Sequence, residues 1–259
     1  MFKLTGAKPK PFVKWAGGKK QIINELIARV PESYGRYYEP FVGGGALLFS
    51  LMPDKAVIND INEDLINAYT VIRDNVEALI NSLKRHKNTK EYYYFMRSMK
   101  PSDPVERASR FIYLNKTCYN GLRYKNPNIC DEENLRAVSE YLRTCDITIL
   151  NTDYKEAIAT AERGDFIYLD PPYAPSSPTA SFTKYTRDGF GLEDQKELAE
   201  IFRSLDKKGC KVMLSNSNTE FVRNLYRGFN IEVVRANRYI NCVADRRKNH
   251  TELIIRNYE

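Results

Sequence analysis

Residues 166–173 read "FIYLDPPY". Phe166-Ile167-Tyr168-Leu169 is an uninterrupted apolar run, the pattern of a strand buried on both faces. Pro171 and Pro172 can neither continue a central strand nor donate to its ladder, so the chain stops there. Asp170 and Tyr173 are left on a stiff turn at the strand's carboxyl end, which in open α/β sheets is the edge where ligands bind. A loop that merely contains two prolines explains the same residues, and the rest of the chain has to choose between the two readings.

Outward from this run, short apolar stretches alternate with longer amphipathic ones, the signature of a parallel sheet with crossover helices. Strands are expected at "YYEPF" (37–41), "AVIND" (56–60), "ITIL" (147–150), "FIYLD" (166–170) and "KVMLSN" (211–216). Two more, "IEVVRANRY" (231–239) and "TELIIRNY" (251–258), are spaced as an antiparallel hairpin closing the sheet. Helices are expected over 19–29, 62–84, 190–205 and 218–227, with Asn62 as the N-cap of the second. Between about 85 and 146 the alternation is interrupted by a stretch rich in Tyr, Arg, Lys and Asn, read as helices joined by irregular segments and inserted between the second and third strands. The fold class expected is α/β, a Rossmann-like sheet with a mainly helical insertion.

Composition narrows the chemistry. The chain of 259 residues is long enough for one large domain or a domain plus a small insertion. No apolar run approaches a membrane span and no signal-peptide pattern opens the chain, so no membrane partner is expected. Five scattered cysteines without CxxC spacing fit reduced intracellular thiols and argue against a zinc site. With only two histidines, His86 and His250, a His-based triad or HExxH metal site is disfavoured, and carboxylates, hydroxyls, amides or backbone must carry any chemistry; no metal is expected. A net charge of +7 favours an anionic partner, nucleic acid first, although solubility alone also accounts for such a charge.

"YYEPFVGGGALLF" (37–49) runs from a strand through Gly43-Gly44-Gly45 into an apolar helix. Glycines let the backbone approach a ligand and adopt φ > 0, and one strand later Asp60 stands where a carboxylate meets ribose hydroxyls. Leu48 replaces the third glycine of GxGxxG, which favours a nucleoside without phosphates over a dinucleotide. A plain turn with an unrelated acid is the competing reading. In "FVKWAGGKK" (12–20) a Walker A loop is ruled out, because Val13 stands in place of its first glycine and Lys20 in place of its Ser/Thr. Lys19 at a helix start opposes the helix dipole, a placement that points to a carboxylate partner, though a surface lysine after a loop is the common alternative.

Taken in order, "KWAGGK" (14–19), "EPFVGGGALLF" (39–49) and "DPPY" (170–173), with a basic insertion before the last, resemble the Dam-type family of DNA adenine-N6 methyltransferases. "YNGL" (119–122), "RYKNPNI" (123–129), "GFGLEDQKELAE" (189–200), "LSNS" (214–217) and "RYIN" (238–241) extend the resemblance along nearly the whole chain. It implies S-adenosylmethionine as methyl donor and methyl transfer to N6 of an adenine flipped out of double-stranded DNA, commonly in GATC. It further implies that residues 1–84 and 146–259 form the catalytic domain and 85–145 the target-recognition subdomain. By resemblance, Trp15, Lys19, Phe41, Gly43, Asp60, Asp153 and Asp170 would meet the cofactor. Asp170, Pro171, Pro172 and Tyr173 would be catalytic, and Lys14, Asn120, Arg123 and Tyr124 would meet DNA. The chain departs from the family where Leu122 is followed at once by Arg123, at the place of a recognition hairpin. The resemblance also implies a bacterial or phage-infected cytoplasm, and a cognate restriction endonuclease acting at the same site is a partner to consider; one active unit per target adenine fits a monomer. An RNA adenine methyltransferase, a non-catalytic DNA-binding module and a NAD-dependent dehydrogenase on a similar sheet are the rivals. The missing glycine and the scarcity of histidine oppose the dehydrogenase, and the intact DPPY opposes the non-catalytic module.

Overall fold

The computed structural model describes residues 6–119, 122–123, 127–175, 190–236 and 250–259. In chain order the elements are α1 (Ile23–Ile27), β1 (Tyr37–Glu39), α2 (Ala46–Leu51), β2 (Lys55–Asn59), α3 (Glu63–Leu83), α4 (Lys90–Ser98), α5 (Pro104–Thr117), β3 (Cys118–Tyr119) and β4 (Leu122–Arg123). They continue with α6 (Glu132–Thr144), β5 (Asp146–Leu150), α7 (Tyr154–Ala157), β6 (Phe166–Leu169), α8 (Leu192–Lys208), β7 (Lys211–Ser217), α9 (Glu220–Leu225), β8 (Asn230–Ala236) and β9 (His250–Arg256). The fold is mixed α/β with a seven-stranded sheet among the described residues, as the alternation predicts. No helix among those residues is long and apolar enough to cross a membrane. Chain contacts divide the protein into two compact units, one of Met1–Gly18 and Val42–Asp153, the other of Lys19–Phe41 and Tyr154–Glu259.

In the first unit β2 and β5 run parallel in register from Lys55 opposite Asp146 to Asn59 opposite Leu150. The segment between them is mainly helical: α5 and α6 pack along α3. Leu65, Tyr69 and Ile72 of α3 and Leu135, Val138 and Leu142 of α6 are buried at the three- and four-residue spacing that puts them on one face of each helix. Ile80 of α3, beyond a kink at Asn75, and Ile112 of α5 are buried too. Asn62 caps α3 by accepting the Leu65 N–H at 2.9 Å. β3 and β4 pair antiparallel, Cys118 opposite Arg123 and Tyr119 opposite Leu122.

The second unit carries five strands in the order β1-β6-β7-β9-β8. β1, β6 and β7 are parallel, whereas β9 runs antiparallel to both β7 and β8. The expected terminal hairpin is present, with β9 rather than β8 against β7; residues 237–239 of the expected strand lie outside the described residues. All four side chains of β6 are buried, which explains its unalternating apolar sequence. The helix expected over 19–29 is divided. Lys19–Gln21 form a 3-10 turn, closed by the Ile22 N–H on the Lys19 carbonyl at 3.0 Å, and α1 begins only at Ile23.

Asp165 sets where β6 starts. Its Oδ1 accepts the Arg36 N–H at 2.7 Å and its Oδ2 the Glu162 N–H at 2.8 Å, so one buried carboxylate ties the entries to β1 and β6. Gly35 is required beside it, because a Cβ there would lie 2.6 Å from Asp165 Oδ1. Asp165→Ala strands two main-chain donors at a buried position and should lower stability by about 2–4 kcal/mol, read as a lower urea midpoint.

Candidate active site

Asp170 follows β6 directly. Lys19 is only 5 % exposed, and its ammonium stands 2.7 Å from Asp170 Oδ1 and 4.7 Å from the centroid of the Tyr173 ring. The lysine at an unfavourable helix start thus has a carboxylate to meet. Tyr173 donates its hydroxyl to Glu252 Oε2 at 2.7 Å, and Glu252, on β9, is itself buried. Burial pushes the Asp170 carboxyl up, the Lys19 ammonium pulls it back and the Glu252 charge raises it again; the balance lies at a pKa of about 6. Burial, with the Asp170 and Glu252 charges, holds the Tyr173 hydroxyl well above its usual range, so it stays a neutral donor.

The main chain after Pro171 is held by amides. Gln195 of α8 donates to the Pro172 carbonyl at 2.7 Å and accepts from Asn216 Nδ2 at 2.9 Å. Asn216 Oδ1 accepts the Ala174 N–H at 3.1 Å, and Ser217 Oγ donates to the Ala174 carbonyl at 2.8 Å. Gln195, Asn216 and Ser217 are all buried, so the Pro172–Ala174 backbone is fixed by α8 on one side and β7 on the other. Phe41 packs against Tyr154 at 5.1 Å and edge-on to Phe190 at 6.0 Å.

A second group of the expected residues meets in the other unit. Gly43 adopts φ +49°, and a Cβ there would lie 2.5 Å from Trp15 Cδ1, so the glycine backbone touches the indole. Asp60 Oδ2 accepts the Gly43 N–H at 3.0 Å and Oδ1 accepts the Asn62 N–H at 2.9 Å. Each oxygen keeps one lone pair for a further donor. Burial raises the Asp60 carboxyl above its ordinary value, and these two main-chain bonds oppose the rise. Asn59 bonds both main-chain groups of Thr152, donating to the carbonyl at 3.1 Å and accepting the N–H at 2.9 Å, while Asn151 donates to the Asp60 carbonyl at 2.8 Å. These bonds tie the loop carrying exposed Asp153 to the end of β2. Lys14 is exposed. Arg123 lies in β4; Asn120 and Tyr124 lie outside the described residues.

The sequence pattern of the D12 class N6 adenine-specific DNA methyltransferases matches residues 15–240. The chain belongs to this family. It is 44 % identical over 271 positions to the type II methyltransferase M1.LlaDCHI of Lactococcus lactis subsp. cremoris, covering 96 % of this chain and 95 % of the relative. It is 43 % identical to the type II methyltransferase M.MjaIII of Methanocaldococcus jannaschii (96 % and 99 % covered) and 35 % identical to a DNA adenine methylase of Vibrio cholerae (95 % and 95 %). The protein is therefore an S-adenosylmethionine-dependent DNA adenine-N6 methyltransferase, and its substrate is DNA. The 271 aligned positions exceed what 96 % of a 259-residue chain supplies by about twenty, so the D12 relative carries residues with no counterpart here.

The residues missed from sequence are the supports of these two groups: Glu252, Gln195 and Asn216 in one unit and Asn59 in the other. Gln195 and Asn216 sit in stretches that resemble the family, but nothing local marks their partners. If Asp170 must be ionised to accept a proton donor, cofactor-linked kcat/KM should fall below a pH of about 6. Lys19→Met removes the group that lowers this pKa, so the acid limb should move to higher pH; Glu252→Gln removes a like charge and should move it lower. An acid limb that stays in place in both variants would show that Asp170 does not set it.

Proposed function

We propose that this methyltransferase extrudes an adenine from duplex DNA, with GATC as its site, and methylates N6 at the DPPY turn. The observation that carries the reading is the buried cluster of Asp170, Lys19, Tyr173 and Glu252 at the carboxyl end of β6. The N6 lone pair of adenine is delocalised into the ring and is a poor nucleophile. Asp170 and the carbonyl of Pro171 would each accept one N6 hydrogen, favouring a tetrahedral nitrogen whose lone pair is available. Pro172 and the amide bonds to its carbonyl and to Ala174 hold this turn before substrate arrives, so no reorganisation is needed at reaction. Tyr173 offers a ring on which the extruded base stacks, worth roughly 1–3 kcal/mol against the stacking lost from the duplex. The methylated nitrogen is acidic and releases its proton afterwards, so no histidine base is called for.

Bound S-adenosylmethionine supplies an electrophilic methyl group on a sulfonium. The Gly43 backbone against the Trp15 indole, with the Asp60 carboxylate beside it, suits a nucleoside that carries positive charge. By the family resemblance, Trp15, Lys19, Phe41, Gly43, Asp60, Asp153 and Asp170 would meet the cofactor. Residues 85–145 would read the target through Asn120, Arg123 and Tyr124, and Lys14 from outside that segment would also meet DNA, with phosphate contacts setting position and Arg123 reading guanine. The two-residue link between β3 and β4 is shorter than the family's recognition hairpin, so GATC rests on kinship with the Dam-type enzymes. The relatives named type II methyltransferases support a restriction endonuclease of the same site as partner.

Tritium transfer from labelled S-adenosylmethionine to duplexes with and without GATC tests both parts. Label is expected in the GATC duplex alone, as N6-methyladenine, and equal labelling of the other duplex would remove the specificity. Asp170→Ala should lower the rate at least about 10³-fold with cofactor still bound, a loss comparable to that of other preorganised polar groups. A near wild-type rate would end the catalytic assignment.

A further inference from the structure

We propose that Asn115 is the positioning residue for Trp15, so that the affinity for the methyl donor is set in part by helix α5. The proposal rests on the reading of Trp15 as a wall of the cofactor site. Asparagine is a poor interior helix residue because its amide competes for main-chain partners. Near the end of α5, the Asn115 amide leaves the helix and takes both main-chain groups of Lys14. Its Oδ1 accepts the Lys14 N–H at 2.8 Å and its Nδ2 donates to the Lys14 carbonyl at 2.7 Å. One side chain thereby does what a neighbouring strand would do, and it does so at the peptide that leads into Trp15. No other side chain of this length offers a donor and an acceptor in that geometry: Asp lacks the donor and Leu lacks both.

The same helix also holds the indole. Phe111, four residues before Asn115 and on the same face of α5, packs against Trp15 with ring centroids 6.3 Å apart. The indole also lies against Gly43, where any side chain would collide with it. Trp15 thus meets both the glycine turn and α5, and the amide at residue 115 fixes the chain from which it projects.

An internal control exists. Asn134 of α6 bonds the main chain of Lys10 in the same reciprocal way, accepting the N–H at 2.8 Å and donating to the carbonyl at 3.0 Å. It secures the same segment five residues upstream of the indole. If such amides only fasten the segment down, the two are equivalent; if position 115 acts on Trp15, they are not.

Trp15 is the single tryptophan of the chain, so emission excited beyond the tyrosine absorption band reports this site alone. S-adenosylmethionine and S-adenosylhomocysteine would be titrated by calorimetry into wild type, Asn115→Ala, Asn115→Asp, Asn134→Ala and Trp15→Ala, with emission spectra and urea midpoints recorded for each. Asn115→Ala is expected to weaken both ligands about tenfold and to red-shift the emission, with Asn115→Asp between it and wild type. Asn134→Ala should leave affinity within about twofold and the spectrum unchanged. Equal losses in Asn115→Ala and Asn134→Ala, or unchanged affinity in Asn115→Ala, would overturn the inference. Unchanged affinity in Trp15→Ala would instead remove the reading of the pocket beneath it.

Discussion

A carboxylate placed where its strand has just left a fully buried interior loses water it would rather keep, and the second unit is arranged around that loss. Lys19 answers it directly, through an ion pair 2.7 Å long in which neither side chain is more than one-fifth exposed. The compensation is incomplete, because Asp170 still ionises only at a pH of about 6, above the range of a free aspartate. A folded-state pKa above the unfolded one means that protonated Asp170 favours the fold below the ordinary carboxylate range. That contribution is lost as pH rises through about 6. At neutral pH the protein therefore carries an ionised group at some expense of stability, which is common where a group is kept for chemistry. Glu252 adds to the expense electrostatically while fixing the Tyr173 hydroxyl, so the two demands on this cluster pull in opposite directions.

Elsewhere in the molecule the recurring device is the asparagine amide used as a short piece of strand. Asn59 binds Thr152, Asn115 binds Lys14 and Asn134 binds Lys10, each by one donated and one accepted bond to the same residue's main chain. All three fasten loops that carry expected site residues or lead into them. A loop fastened at its backbone leaves the neighbouring side chains available for a ligand, which is what a binding edge requires.

Much of this was legible beforehand because it is local. The unalternating run 166–169, the prolines after it, and the glycines at 43–45 each specify their own geometry within a few residues. The strand at Tyr37–Glu39 and the cap at Asn62 follow from the same kind of signal. The supports were not legible, and their separations show why: Tyr173 and Glu252 are 79 residues apart, Asn59 and Thr152 are 93, and Lys14 and Asn115 are 101. An isolated Asn or Glu carries no mark of a distant partner. The helix expected over 19–29 failed for a related reason, since periodicity reports the apolar face but not that its first turn tightens into a 3-10 turn that carries buried Lys19.

β9 lies between β7 and β8 although it is made after both. During translation the two earlier strands leave the ribosome without the neighbour that joins them, and their facing edges must wait. Glu252 arrives with that late strand, so a nascent chain can complete the DPPY turn and still hold Tyr173 by nothing at its hydroxyl. The anchor of Tyr173 is thus in place only once β9 is made, and a chain interrupted before residue 250 would be left with an open seam as well as an unanchored aromatic ring.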